Sequence, residues 1–505
     1  MVRIFCDRKE KDLKNFWNHI VFHPTDAIEE DWGQIYLNRM AEDNAVRTVR
    51  IYAMFEEMVT LDENGEMVFD FAPGDRRIDC LVSKGFSLCI AYAFIPPWLA
   101  ADQSPERTKM RYKGRLLVRS HPYDYSKWEE ICRVYTQHLV DRYGEDTVAG
   151  WRIHCYNEPD WYHFFDEPAE NNLARAAEYC KLYDSFAAGV TSVSLRIPIG
   201  GPALAESDEH FEFFAHFLEH VSRTGSKLDY IAFHSYGTSP DLMRSGEKML
   251  NIQGAVYNTL TVARLAKMYG FGHLPLVCDE WGASTEGYMG SDRCPPHEFR
   301  ETEQYSAYFV RMLTLFDELE LPYEQMMLCL SGQHGLEVNF GGHRNFFTRD
   351  YFAKPIYNAF VLANKLGDEK LYFYGEDPLT DAAVEDLAVM PTRHKDGRVS
   401  VLLCYADAAF TRELADKSFT FSFAGLESPM CLTKYVIDAE HANAYTMFKR
   451  LGRPAEITDE QAAAIRGFAA LKAEQAGVLT PENAELELTM SNNAVVLLEL
   501  EPQKA

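Results

Sequence analysis

GWRIHCYNEPDW, residues 150–161, decides how the rest of the chain is read. Residues 151–156 are a short run of large and branched side chains, the pattern of a buried strand. Asn157-Glu158-Pro159 ends it abruptly, because proline cannot donate to a sheet ladder and drives the preceding residue toward extended backbone. Glu158 is therefore expected at the carboxyl end of a strand, where parallel α/β folds keep their chemistry. A second strand, over residues 274–278, ends in the same way on Asp279-Glu280-Trp281. Two glutamates at two strand tips are what cleavage of a glycosidic bond by a pair of carboxyl groups requires.

Working outward from this stretch, the same strand-then-helix rhythm recurs on both sides. Strands are expected over 17–22, 46–52, 86–94, 148–156, 195–199, 228–234, 274–278 and 326–330. Helices are expected over 31–44, 75–84, 125–143, 171–190, 210–221, 252–269, 302–319 and 354–366. Gly200-Gly201-Pro202 reads as a sharp turn after the fifth strand. Such a succession implies an α/β fold, a (β/α)8 TIM barrel over residues 16–366. A doubly wound sheet is the alternative, without a GxGxxG or GxxxxGK[ST] turn to support nucleotide binding. From residue 367 to 505 the rhythm changes to short alternating strands, at 370–374, 385–391, 398–405, 419–423, 431–436, 485–490 and 494–500, with one helix over 458–475. That is the pattern of a smaller antiparallel β-sandwich, which the opening strand within residues 1–10 is expected to join.

Composition narrows the classes of function. The 505 residues are 47% hydrophobic and 13% aromatic, ample for burial, and carry a formal charge of −26. Phosphate backbones and anionic membranes are negative too, so neither nucleic acid nor a membrane is expected as a partner. The first residues, MVRIFCDRKEKDLKNF, lack the apolar run of a signal peptide, and no segment has the length of a membrane span. The 11 cysteines are scattered without a CxxC pair, several of them within apolar strand-like runs. A reduced, cytoplasmic protein without a disulfide framework or zinc site is the expectation.

With the strand ends placed, the chain resembles glycoside hydrolase family 39, whose members include β-xylosidases and α-L-iduronidases. NEP at 157–159 matches the family's fourth strand end, and DEW at 279–281 stands where the family often has TEY or TEW. Lys127-Trp128 with RYG at 142–144, GGPA at 200–203, LDYIAFHSY at 228–236 and KPIYNAF at 354–360 follow in the same order. The sequence departs from the family in three places. Tyr156 stands where Trp usually precedes Asn-Glu, Arg50-Ile51-Tyr52 replaces Arg-Gly-His, and LCLSGQ at 328–333 has no aromatic residue.

The resemblance implies a retaining, exo-acting glycoside hydrolase on plant-type oligosaccharides or glycosides, β-xylosidase-like by default. α-L-Arabinofuranosidase-like or β-galactosidase-like activity is the alternative left open by the altered strand tips, as is a non-catalytic carbohydrate-binding barrel. No cofactor and no metal are implied, and a homo-oligomeric state is left open. Glu158 becomes the general acid/base and Glu280 the nucleophile. Asn157 would donate to the sugar 2-hydroxyl. Arg50 and Tyr236 resemble the arginine and tyrosine that hold the nucleophile in related barrels. His234 alternates with Tyr236 and so points the same way. Trp281, Tyr52 and Trp98 are candidates for stacking on sugar rings. His334, Glu337 and His343 are candidates for reading hydroxyls from the loop after the eighth strand.

Overall fold

A computed structural model describes residues 1–23, 26–104, 109–112, 115–166, 169–207, 210–237, 250–285, 289–375 and 386–503, with the side chains of 109–112, 115, 116 and 334 left aside. Eight parallel strands among these residues close into a barrel. In order they are His19–Phe22, Thr48–Tyr52, Ser87–Tyr92, Arg152–Cys155, Ile199–Leu204, Tyr230–Tyr236, Leu276–Gly282 and Tyr323–Leu330. The eighth closes on the first through the pairs Met327 with His19 and Leu330 with Phe22. Every residue of Thr48–Tyr52, Ile199–Leu204 and Leu276–Gly282 is buried, as expected for strands packed on both faces. Helices cover the outside, and their starts follow local capping chemistry. Asp124 accepts from the Ser126 N–H, Asn171 from Ala174, Asn251 from Gly254 and Thr302 from Gln304.

Several elements differ from the sequence reading, and four of the differences have a direct physical reason. The fourth strand is only Arg152–Cys155, because Glu145–Ala149 forms one short helix before it. The fifth does not turn at Gly200-Gly201-Pro202 but runs through it. The glycines serve close packing: a Cβ would lie 2.3 Å from the Tyr230 ring at Gly200 and 2.8 Å from the Tyr179 hydroxyl at Gly201. The seventh strand continues through Glu280 to Gly282, so Glu280 lies within it rather than beyond it. The expected helix over 458–475 is Asp459–Ala469, started by a Thr458/Gln461 capping box, and the remainder becomes the edge strand Glu474–Leu479. Pairing with Met430–Ile437 there overrides the helical leaning of Glu and Gln.

A second sheet has nine strands, in the order Glu474–Leu479, Met430–Ile437, Ala494–Pro502, Val399–Tyr405, Leu387–Arg393, Glu369–Gly375, Val2–Asp12, Lys417–Ala424 and Glu485–Met490. Val2–Asp12 runs antiparallel to Glu369–Gly375 and parallel to Lys417–Ala424. Tyr405 and Phe419 belong to strands four steps apart, about 19 Å in a flat sheet. Their ring centroids are 5.3 Å apart, so the sheet folds back on itself as a sandwich. Its interior holds Ile4, Leu371, Val401, Leu403, Phe421, Leu432 and Leu498. The outer face, with Leu402, Cys404, Val495 and Leu497, joins the barrel core. There Cys404 lies against the Ala307 carbonyl and Phe410 against Tyr308.

Ile4 is fully buried in the middle of that sheet. Ile4→Ala is expected to cost about 2–5 kcal/mol, read as a lower urea midpoint; an unchanged midpoint would contradict a central position for the opening strand.

Candidate active site

The carboxyl end of the barrel gathers seven ionisable side chains from four strands and their ends. Arg50, in the middle of the second strand, is fully buried. Its Nη1 donates to Glu280 Oε1 at 2.7 Å, its Nη2 to Asn157 Oδ1 at 2.8 Å, and its Nε lies 3.0 Å from Asp279 Oδ2. Tyr52, two residues on, donates to the same Glu280 oxygen at 3.0 Å, and Tyr236 donates to the other at 2.7 Å. His234 Nδ1 lies 2.7 Å from Glu158 Oε1. Carboxylate oxygens of Glu158 and Glu280 and the His234 nitrogen all fall within 4.8 Å of one another.

Local backbone explains how each group arrives. The fourth strand ends at Cys155, and Tyr156 and Glu158 then take left-handed conformations, with φ of 66° and 45°. Non-glycine residues adopt these only when neighbours hold them there. The Tyr156 N–H donates to Tyr92 O at 3.2 Å and the Glu158 N–H to Ala203 O at 2.9 Å, clamping the turn between the third and fifth strands. On the seventh strand the ladder skips a residue: Phe233 pairs with Cys278, but His234 pairs with Glu280. This bulge at Asp279 turns two successive carboxylates toward the interior, where strict alternation would send one out.

Charge balance separates the two glutamates. Burial works against ionisation of both. For Glu280 it is outweighed by His234 and Arg50, the Tyr236 hydrogen bond and the Arg344 guanidinium, so its carboxyl titrates well below the usual range. For Glu158 burial wins over the His234 hydrogen bond and raises its carboxyl to about 7. Burial would also discharge His234, but Glu280, Asp279 and Glu158 together raise it to about 10. Arg50 and imidazolium His234 thus offset Asp279 and Glu280, leaving Glu158 as the carboxyl the site keeps neutral. Glu158, His234 and Glu280 also have the spacing of a cation site, where a metal would have to displace the proton that Glu280, Asp279 and Glu158 favour on His234.

The structure brings together Arg50, Tyr52, Asn157, Glu158, His234, Tyr236 and Glu280 from the sequence reading. Tyr52 enters through its hydroxyl rather than as an open platform; it is buried and its ring is stacked on Phe94. Trp281 is a correction. It sits one residue past inward-facing Glu280, points outward, is fully buried and stacks on Phe309 at 5.9 Å, so it offers sugar no face. Trp98 is half-buried, its indole N–H bonded to Val59 O and its face covered by Lys127. Glu337 is exposed on the loop after the eighth strand, and His343 is buried with its carbonyl accepting from Lys354. The His334 side chain lies outside the described residues.

Three contributors escaped the sequence reading. Asp279 needed the bulge. His154, bonded to Arg50 Nε and held neutral by burial, looks like any core residue of a short strand. Arg344, 5.4 Å over the Tyr236 ring, lies in an irregular loop with no periodic signal.

Known proteins resemble this chain over most of its length. The sequence profile of glycosyl hydrolases family 39 matches residues 1–486. A β-xylosidase of Geobacillus stearothermophilus is 24% identical over 92% of this chain and 88% of its own. One of Caldicellulosiruptor saccharolyticus is 24% identical over 96% and 95%. Among solved structures, a monomeric β-xylosidase from Caulobacter crescentus CB15 superposes with a TM-score of 0.80 at 19% identity, over 100% of this chain and 99% of that one.

Trp281→Ala tests the corrected role. It is expected to cost about 3–5 kcal/mol of stability, seen as a lower urea midpoint. A sugar platform would instead raise KM and leave the midpoint unchanged.

Proposed function

The chain belongs to glycosyl hydrolases family 39 and is a glycoside hydrolase; we propose that it acts as a retaining, exo-acting β-xylosidase on plant-type oligosaccharides or glycosides. The observation that carries this reading is the pair of carboxyl oxygens within 4.8 Å, one in surroundings that raise its carboxyl to about 7 and the other in surroundings that favour the carboxylate. Retaining chemistry needs carboxyl groups about 5–5.5 Å apart, whereas inversion needs room for a water between them. The sugar assignment rests on the two curated β-xylosidases, each similar over most of its length.

In the proposed cycle Glu158 gives its proton to the glycosidic oxygen while Glu280 attacks the anomeric carbon, forming a glycosyl-enzyme. Glu158, now a carboxylate, takes a proton from water, which attacks the same carbon and releases Glu280. Arg50, Tyr52 and Tyr236 keep Glu280 ionised and aimed before attack and accept it back afterward. Asn157 Oδ1 accepts from Arg50 Nη2, which turns its Nδ2 hydrogens toward the sugar 2-hydroxyl. His234 holds the Glu158 carboxyl in place and supplies the positive charge that Glu280 needs.

The test is a panel of 4-nitrophenyl glycosides spanning β-xyloside, α-L-arabinofuranoside, α-L-arabinopyranoside, β-glucoside, β-galactoside and α-L-iduronide. β-Xyloside is expected to be cleaved best, with the β-anomer as first product by proton NMR and activity abolished in Glu280→Ala. An inverted product, or full activity in that variant, would overturn the reading.

The pH profile follows from the acid. Because Glu158 must be protonated, kcat/KM on β-xylosides falls as pH rises through about 7. Glu158→Gln is expected to slow unactivated substrates by about 10²–10⁴-fold and to remove that basic limb. A limb that persists in the variant would assign the proton to another group.

A further inference from the structure

The turn after Glu158 carries aromatic surface that the cleavage chemistry leaves unused. The Trp161 backbone N–H donates to the Glu158 carbonyl at 3.1 Å, closing a tight turn that carries this residue three positions from the proposed acid. Trp161 is 38% exposed and neighbouring Tyr162 46%, whereas the rings of Tyr156 and Phe165 flanking the turn are fully buried. Adjoining exposed aromatic rings beside a site offer the kind of face that ligand rings stack on.

From the nucleophile outward, rings follow one another without a break. Tyr52, whose hydroxyl touches Glu280, is stacked on Phe94 with centroids 6.0 Å apart and planes within 5°. Phe94 is stacked on Phe164 at 6.3 Å, and Phe164 lies against Trp161 at 5.8 Å. Exposure rises along the series: Tyr52 and Phe94 are buried, Phe164 is half-buried and Trp161 is open. His163 braces the indole edge-on at 5.0 Å and is itself covered by Tyr162 at 3.9 Å. A general acid stands beside the oxygen that joins the two halves of its substrate, so the departing half lies on the acid's side. The exposed end of the aromatic series lies on the turn that carries that acid.

We propose that Trp161, backed by Phe164 and flanked by Tyr162 and His163, forms the leaving-group subsite and takes a pyranose ring, its apolar C–H face against the indole. A sugar suits the surface better than a wholly apolar group. Tyr162 and His163 place a hydroxyl and an imidazole beside the platform, polar groups that a ring with one apolar face and a hydroxylated rim can engage. The inference rests on Glu158 being the acid, and it adds that the enzyme reads both sugars of a disaccharide.

The test compares two substrates with the same glycone. Xylobiose departs as a sugar ring, whereas β-xylosyl fluoride departs as an ion that fills no leaving-group subsite. Trp161→Ala is expected to lower kcat/KM for xylobiose by about tenfold or more and to leave the fluoride within twofold, with Trp161→Phe restoring most of the loss. The fluoride rate also shows that the variant is folded. Equal losses on both substrates, or none on either, would overturn the subsite. A wild-type protein that hydrolyses neither substrate would mark failure of the β-xylosidase reading instead. Calorimetry then decides the subsite by itself: weaker xylobiose binding in Trp161→Ala supports it, and an unchanged Kd overturns it.

Discussion

A guanidinium taken entirely out of water is the constraint around which this site is built. Arg50 is tolerable inside the barrel because carboxylates and hydrogen-bond acceptors surround it: Glu280, Asp279, Asn157 and His154. Burying such a charge costs several kcal/mol unless it is fully matched, and the match itself does chemical work. Each group that satisfies Arg50 is thereby oriented, so one cation helps His234 keep Glu280 ionised, sets the Asn157 amide's direction and adds to the burial that keeps His154 neutral. Glu158 stands outside this network and is reached through His234. Two carboxyl groups in one pocket come to differ in protonation because their partners differ.

The barrel delivers these groups by departures from regular strand geometry. A bulge lets Asp279 and Glu280 both point inward. Left-handed Tyr156 and Glu158 bring the fourth strand's tip across toward the sixth. Gly200 and Gly201 let the fifth strand lie flush against Tyr230 and Tyr179, and the next turn of that strand accepts the Glu158 N–H at Ala203. Behind the site, the folded nine-stranded sheet packs its outer face on the barrel through the helix Glu303–Glu318, the helix on which Trp281 rests.

Much of this was legible before any coordinates. The strand–helix rhythm identifies the barrel because each strand is a short apolar run and each helix a longer periodic one. NEP and DEW mark the two glutamates because proline and consecutive acids interrupt those runs. The failures share one cause, reliance on regular periodicity. Strict alternation hides Asp279, and it makes Trp281 look like a rim residue when the bulge and strand direction send it into the helix layer. Gly-Gly-Pro reads as a turn because glycine's commonest use is conformational, whereas here it makes room. Arg344 comes from a loop, where spacing carries no information about which side chains meet.

The assignment of Glu280 as the charged, attacking carboxylate is the centre of this account, and trapping tests it most directly. Incubation with 2,4-dinitrophenyl 2-deoxy-2-fluoro-β-xyloside should stall the enzyme after glycosylation. The account predicts a single added fluorosugar, by intact mass, on a peptide whose fragments place it on Glu280. A label on Glu158 or any other carboxylate, or none in an enzyme that hydrolyses β-xylosides, would contradict it.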